Sequence, residues 1–113
     1  METWIIIAVI VAFFAWRMMP TKGINNISTA QLKTIINDKN KVFLDVRSQG
    51  EYKARGLKQF KNIPLGSDLS KLPKDKEIVV ICQSGMRSSQ ACKQLKKMGY
   101  EKVTNVRGGM SAY

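Results

Sequence analysis

Residues 77–82 read EIVVIC, and this apolar run is the stretch of sequence that decides the fold. An apolar run without alternation is typical of a strand that is buried on both faces of a parallel sheet. After a short loop, a helical pattern extends from about Arg87 to Met98, and Gly99 stands where glycine commonly ends a helix. The order of strand, loop and helix predicts an α/β domain.

The flanking sequence repeats this alternation of strand and helix. Ser28 with Gln31, and Ser48 with Glu51, match the capping box that opens a helix. Further strand or extended patterns occupy residues 24–27, 41–46, 62–65 and 102–106. We therefore expect residues 24–113 to form a doubly wound, mainly parallel sheet with helices on both faces.

The N-terminal segment is apolar and predicts a membrane anchor. Residues 4–16 read WIIIAVIVAFFAW, with Trp4 and Trp16 where interfacial aromatic residues are expected. We expect a transmembrane helix over residues 1–19 and a linker over 20–23, with Arg17 reaching toward the headgroups. A signal peptide is one alternative, but it would have a basic start and a small-residue cleavage site. A buried core helix and an interfacial helix are the others, but each would have a polar face, which this segment lacks.

The flanking charges predict the orientation of this anchor. Glu2 precedes the apolar run, whereas Arg17 and Lys22 follow it. The positive-inside rule then places the C-terminal domain in the cytoplasm, at the cell membrane and after a single span. A reducing cytosol would also keep Cys82 available as a thiol.

Composition excludes several classes of function. The chain has 113 residues, a formal charge of +11, two cysteines and no histidine. Its lysines are scattered, so we expect no nucleic-acid partner. The absence of histidine excludes zinc sites built from His and Cys as well as catalytic schemes that need a histidine base. We expect neither a metal nor a cofactor.

The loop after the EIVVIC strand is the candidate site. Ligands of open α/β sheets bind beyond the carboxyl ends of the strands, and Cys82 stands at such an end. The loop can turn its backbone N–H groups inward to form an anion cradle, and Gly85 allows the backbone conformation that this needs. With Arg87 five residues further on, the Cys82 thiol should have a lowered pKa and react as a thiolate.

Four ordered motifs give the chain its resemblance to the rhodanese family. The motif Cys-x-x-Gly-x-Arg-Ser begins at Cys82. The other three motifs are Asp45-Val46-Arg47 with Glu51-Tyr52, Asn62-Ile63-Pro64-Leu65, and Val106-Arg107-Gly108-Gly109-Met110. The resemblance covers residues 24–113. It departs from the family pattern at Gly56-Leu57-Lys58 and at the terminal Tyr113.

The resemblance implies a sulfurtransferase in which Cys82 takes a sulfane sulfur and becomes a persulfide. The donor would be a small anion such as thiosulfate or a protein persulfide, and a thiophilic acceptor would remove the sulfur. Asp45 and Ser88 would support the loop, and Glu51 is expected to cap its helix. The residues expected to bind the substrate are Gln83, Ser84, Gly85, Met86, Arg87 and Arg47.

Two other functions remain open at this stage. A cysteine phosphatase or arsenate reductase uses a similar cradle, but with five residues between cysteine and arginine, whereas only four separate Cys82 from Arg87. A membrane-tethered binding module without turnover is the other alternative. Cys92 could be a resolving thiol, but its helical spacing from Leu95 favours a small buried hydrophobic residue.

Overall fold

The computed structural model describes residues 2–18 and 23–113, and residues 24–113 contain a five-stranded sheet flanked by helices. The strands are β1 (Ile24–Ile27), β2 (Lys41–Asp45), β3 (Lys61–Asn62), β4 (Glu77–Ile81) and β5 (Val103–Val106). The helices are α1 (Glu2–Met18), α2 (Thr29–Ile35), α3 (Gln49–Ala54), α4 (Met86–Lys97) and α5 (Gly109–Ala112).

The strand order is β1-β5-β4-β2-β3, and every neighbouring pair is parallel. Strand β4 lies at the centre, and its residues Ile78–Ile81 are completely buried. The apolar run that decides the fold therefore forms the middle of the sheet, as the sequence predicts.

Apolar side chains cover both faces of the sheet. On one face, Ala91, Cys92 and Leu95 of α4 pack in a cluster with Val80. On the other face, Leu32 of α2 and Met110 of α5 pack in a second cluster, which includes residues of β2 and β4. The predicted arrangement of helices on both faces is confirmed.

Local sequence signals account for most helix boundaries. Both predicted capping boxes are present, with Ser28 at the start of α2 and Ser48 at the start of α3. Helix α4 begins at Met86, one residue before the predicted start, and Gly99 has a φ of +100° beyond its end. The predicted extended piece over residues 62–65 overlaps the observed strand β3 only at Asn62, because Pro64 cannot donate to a strand ladder.

The N-terminal helix is described over residues 2–18. Helix α1 has 17 residues and is about 26 Å long, whereas the hydrocarbon core of a bilayer is roughly 30 Å thick. Among residues 2–18 and 23–113, the structure contains no helix both long and apolar enough to cross a membrane. The predicted transmembrane helix is therefore not supported. The end of the anchor at residue 19 and linker residues 20–22 lie outside the described residues.

Candidate active site

The candidate site lies where three neighbouring strands end at the same edge of the sheet. Cys82 directly follows the central strand β4. Asp45 ends β2 on one side, and Gly108 follows β5 on the other side. Because the strands are parallel, the three chain segments that follow them meet around Cys82, as the sequence predicts for a ligand site of an open α/β sheet.

The Cys82 sulfur sits inside a turn of backbone amides. The N–H of Gly85 donates a hydrogen bond to Cys82 Sγ at 2.9 Å, and Ser88 Oγ lies 3.3 Å from the same sulfur. Gly85 has a φ of +103° at the N-cap of α4, a conformation that glycine adopts without strain. The loop therefore forms the cradle of N–H groups that the sequence predicts.

Burial and hydrogen bonding act in opposite directions on the Cys82 thiol. Complete burial disfavours the thiolate and raises the pKa. Hydrogen bonds from the Ser88 side chain and from the amides of Ser88, Gly85 and Ser84 stabilise the thiolate and outweigh burial, so the pKa is lowered overall. A lowered pKa favours the nucleophilic form of this cysteine.

The segment after β5 is hydrogen-bonded to the backbone of the cysteine loop. The N–H of Met110 donates to the Cys82 carbonyl at 2.8 Å, and the N–H of Ser111 donates to the Gln83 carbonyl at 2.9 Å. A Cβ atom at Gly109 would lie 2.1 Å from the Cys82 carbonyl oxygen. The approach of the two backbones thus requires glycine at position 109, which gives the Gly108-Gly109 motif a physical reason.

Arg87 is close to the cysteine loop but is paired with a carboxylate. Its guanidinium forms two hydrogen bonds with Glu51, at 2.6 and 2.8 Å. The hydrogen bond from Arg87 lowers the pKa of Glu51 to about 2, and the same pairing raises the pKa of Arg87. Glu51 also completes the capping box of α3. The expected contact of Arg87 with an anionic donor stays a prediction, because that donor would compete with Glu51.

Arg47 is buried behind the loop. Its side chain forms an ion pair with Asp45 at 2.7 Å and donates to the Arg55 carbonyl, also at 2.7 Å. Its side chain contacts the cysteine loop through a long hydrogen bond of 3.4 Å from Nη1 to Gln83 Oε1. Arg47 is only 1% exposed, and such burial is typical of a residue that positions the loop. The substrate contact expected for it remains untested.

The remaining predicted residues differ in their exposure. Ser88 is buried against the Cys82 sulfur, and Ser84 is exposed at the loop surface. Met86 is 74% exposed, so its side chain lies at the outer surface of the loop. Cys92 is completely buried, and burial followed by the charge of Cys82 raises its pKa to about 12. Such a thiol is poorly suited to act as a resolving nucleophile.

Sequence reasoning missed two features of this site. Asn105 lies within hydrogen-bonding distance of Ser88, and Glu51 pairs with Arg87 in addition to capping its helix. The second contact depends on the strand order, because α3 and α4 each begin just after the neighbouring strands β2 and β4 end. Asn105 lies in the buried strand β5, and a strand pattern in the sequence does not indicate which side chains of α4 will contact it.

Comparisons with known proteins agree with this geometry. The family model of the rhodanese-like domain matches residues 28–113. The chain is 43% identical over 94 residues to the Bacillus subtilis protein named "Putative sulfurtransferase YtwF", an alignment that covers 80% of this chain and 90% of that protein. It is 34% identical over 94 residues to a sulfurtransferase of Allochromatium vinosum, with 80% and 88% covered.

Among solved structures, the crystal structure of a rhodanese-like domain protein from Staphylococcus aureus superimposes on this chain with a TM-score of 0.71. The two sequences are 28% identical, and the match covers 78% of this chain and 89% of that one. The similarity therefore extends over most of both chains.

Proposed function

Because this chain belongs to the rhodanese-like domain family, we propose that it is a sulfurtransferase that carries a sulfane sulfur on Cys82. The observation that carries the proposal is the contact of Cys82 Sγ with the Gly85 N–H at 2.9 Å, inside a loop that opens a helix. This arrangement stabilises negative charge at the sulfur, which is the form needed for nucleophilic attack.

The proposed reaction has two steps. Cys82 gives its proton to solvent, and the thiolate attacks the outer sulfur of thiosulfate. The new bond joins the two sulfur atoms, the bond to the sulfite group breaks, and sulfite leaves with the bonding electron pair. A thiophilic acceptor such as cyanide then takes the outer sulfur as thiocyanate and restores the thiolate, so that the cycle is a double displacement.

The loop amides are the groups best placed to stabilise the persulfide. Donors that are already oriented around an anion need no reorganisation when charge arrives there. The Gly85 amide and the Ser88 hydroxyl lie 2.9 and 3.3 Å from the sulfur. Arg87 would assist an anionic donor only in competition with Glu51, so we propose that the amides of the loop contribute more than the guanidinium.

The nature of the donor is open between two chemical classes. Thiosulfate is a small dianion, and the positive charge of the chain would steer it toward the protein. A persulfide carried by a partner protein is the other class, and the exposed Met86 offers that partner an apolar contact beside the loop. We propose a sulfane-sulfur donor of either class.

The test of the proposed activity is sulfur transfer from thiosulfate to cyanide by the full chain. We expect turnover by the unmodified protein, retention of turnover in Cys92→Ala and its loss in Cys82→Ser. Cys92→Ala is the matched control because it removes the other thiol. Turnover that persists in Cys82→Ser would contradict the proposed nucleophile.

A binding module without turnover is the second candidate function. It is favoured by the complete burial of Cys82 and by the pairing of Arg87 with Glu51. A folded protein that transfers no sulfur from thiosulfate or from a protein persulfide would move this candidate to first place. The phosphatase alternative is disfavoured by the four-residue spacing between Cys82 and Arg87, which makes a smaller loop.

We also propose that the N-terminal segment holds the domain at the cell membrane, on the cytoplasmic side. Several large apolar side chains of α1 are exposed, among them Trp4, Ile6 and Val9. Co-sedimentation of the full chain with membranes that is lost on deletion of residues 1–19 is the expected result. Labelling of an introduced surface cysteine from outside intact cells would contradict the cytoplasmic orientation.

A further inference from the structure

A chain of hydrogen bonds extends from the Cys82 sulfur into the sheet. Ser88 Oγ lies 3.3 Å from the sulfur and also donates to the side-chain oxygen of Asn105. The side-chain nitrogen of Asn105 in turn donates to Asn26 Oδ1 at 3.3 Å. Ser88 is completely buried and Asn105 is 6% exposed, whereas Asn26 is exposed. Neither asparagine takes part in the sulfur chemistry proposed above.

The Ser88 hydroxyl has one proton and three acceptors within reach. These acceptors are the Gly85 carbonyl at 3.1 Å, the Asn105 side-chain oxygen and the Cys82 sulfur. When Cys82 is a thiol, its S–H can donate to Ser88 Oγ, and the Ser88 proton is then free to bind Asn105. When Cys82 is a thiolate, the charged sulfur is the stronger acceptor and attracts that proton. The hydroxyl therefore has two arrangements.

The sheet fixes the side of the Asn105 amide that faces Ser88. Asn26 and Asn105 are direct partners in the register of β1 and β5. Because the Asn105 nitrogen donates to Asn26, its oxygen points toward Ser88 as an acceptor. Without Asn26, the amide could rotate and present a donor to Ser88 instead. The exposed Asn26 thus maintains the acceptor that competes with the sulfur.

We propose that Asn105 is a positioning residue whose side-chain oxygen holds the Ser88 proton while the Cys82 sulfur is uncharged and releases it to the thiolate. The uncharged states are the thiol and, in the part of the proposal that rests on the proposed function, the inner sulfur of the persulfide. Asn105 thereby sets the balance between charged and uncharged sulfur without touching the substrate. No covalent bond changes in this step.

Three ionisable side chains near Cys82 are already paired or uncharged. Arg87 is bound to Glu51, Arg47 is bound to Asp45, and the pKa of Cys92 is raised to about 12. Substitution of Asn105 by leucine, which has a similar size, leaves these pairs in place. A change in the pKa of Cys82 in this variant would then show that the Ser88 proton is shared between Asn105 and the sulfur.

The test is the pH dependence of alkylation at Cys82 in the full chain, followed by the mass of the Cys82 peptide. Asn105→Leu should lower the midpoint by about half to one pH unit, the range that one neutral hydrogen bond spans. Asn26→Ala should lower it less, because the rotated amide is only sometimes a donor. Ser88→Ala should raise it, because the thiolate loses a hydroxyl donor.

The discriminating measurement is the double variant with Ser88→Ala and Asn105→Leu. Its midpoint should equal that of Ser88→Ala alone, because Asn105 acts through the hydroxyl. If Asn105→Leu shifted the midpoint equally in the unmodified protein and in Ser88→Ala, the proposal would be overturned, because a structural disturbance would produce that result. Should Asn105→Leu fail to fold, the exposed Asn26→Ala decides, and an unchanged midpoint there would also overturn it. Alkylation requires no sulfur transfer, so failure of the proposed function leaves this test intact.

Discussion

The guanidinium of Arg87 and the carboxylate of Glu51 form a two-armed ion pair that joins the first turns of α4 and α3 beside the cysteine loop. Arginine and carboxylate groups match in this geometry, which makes the pair specific. The carboxylate neutralises the cation that the Cys-x-x-Gly-x-Arg motif places next to the sulfur. Glu51 therefore holds the Arg87 side chain, and an anionic donor would have to compete for it.

The first prediction concerns release of this arginine. Glu51→Gln keeps the side-chain oxygen that caps α3 but removes the negative charge. Arg87 should then be available to an anionic donor, and the KM for thiosulfate should fall by about tenfold or more, the effect of one hydrogen bond to a charged group. Steady-state kinetics measure this change. Glu77→Gln is the matched control, because Glu77 is the first residue of β4 and lies at the end of that strand opposite Cys82. A KM that rises in Glu51→Gln would contradict the account.

The second prediction concerns the pH dependence of stability. Pairing with Arg87 lowers the pKa of Glu51 from 4.5 to about 2 in the folded protein. A carboxyl group with a depressed pKa contributes stability above its unfolded value and loses it as the pH falls through the folded value. The contribution of Glu51 should therefore be complete above about pH 4.5 and disappear toward pH 2.

Urea unfolding at a series of pH values checks this dependence. The side chains of the pair are 37% and 35% exposed, so solvent screening keeps the effect small. Glu51→Gln should show a flatter decline in unfolding free energy between pH 4.5 and about 2 than the unmodified protein. Curves that are parallel throughout this range would show that the pair contributes nothing to folding.

The third prediction concerns the buried pair of Asp45 and Arg47. Both side chains are 1% exposed, and Asp45→Asn would leave the guanidinium buried without its counter-charge. Loss of one partner of such a pair costs about 3–5 kcal/mol of unfolding free energy. The partly exposed pair of Lys41 and Glu77 is the control, and Glu77→Gln should cost at most about 1 kcal/mol. Equal losses in chemical denaturation of the two variants would contradict the buried role.

The fourth prediction concerns the backbone contact beneath the loop. Gly109→Ala would place a Cβ atom 2.1 Å from the Cys82 carbonyl oxygen, at a φ of +56°. We expect a loss of at least about 2 kcal/mol in unfolding free energy, together with reduced sulfur transfer. Gly50→Ala is the control, because Gly50 lies in α3 and the added carbon would have no atom within 4 Å beyond its chain neighbours and the backbone of its own helix. That variant should be as stable as the unmodified protein or more stable by about 0.5–1 kcal/mol.

The sequence predicts the elements of this fold well because their signals are local. The capping boxes at Ser28 and Ser48 depend on residues three positions apart, and the buried strand β4 is visible as one apolar run. Contacts across the sheet are different. The hydrogen bond between Ser88 and Asn105 joins residues 17 positions apart, and it forms because α4 packs beside β5.

The candidate site shows the same distinction between local and distant contacts. The sequence predicts the cradle around Cys82, because Gly85 lies between a strand end and a helix start, and the Gly85 N–H does contact the sulfur. It did not predict the partner of Arg87, because Glu51 lies 36 positions away on another helix. It also led us to expect substrate contact by Arg47, which the structure places in a buried ion pair. Charged residues named from a motif therefore require the tertiary structure before a role is assigned.

The most direct test of the central claim is the intact mass of the protein after incubation with thiosulfate and removal of excess donor. The account predicts the added mass of one sulfur atom per chain, located on the peptide that contains Cys82 and released by cyanide. Cys92→Ala should gain the same mass, and Cys82→Ser should gain none. A folded protein that gains no sulfur from thiosulfate or from a protein persulfide, or that gains it on Cys92, would contradict the account.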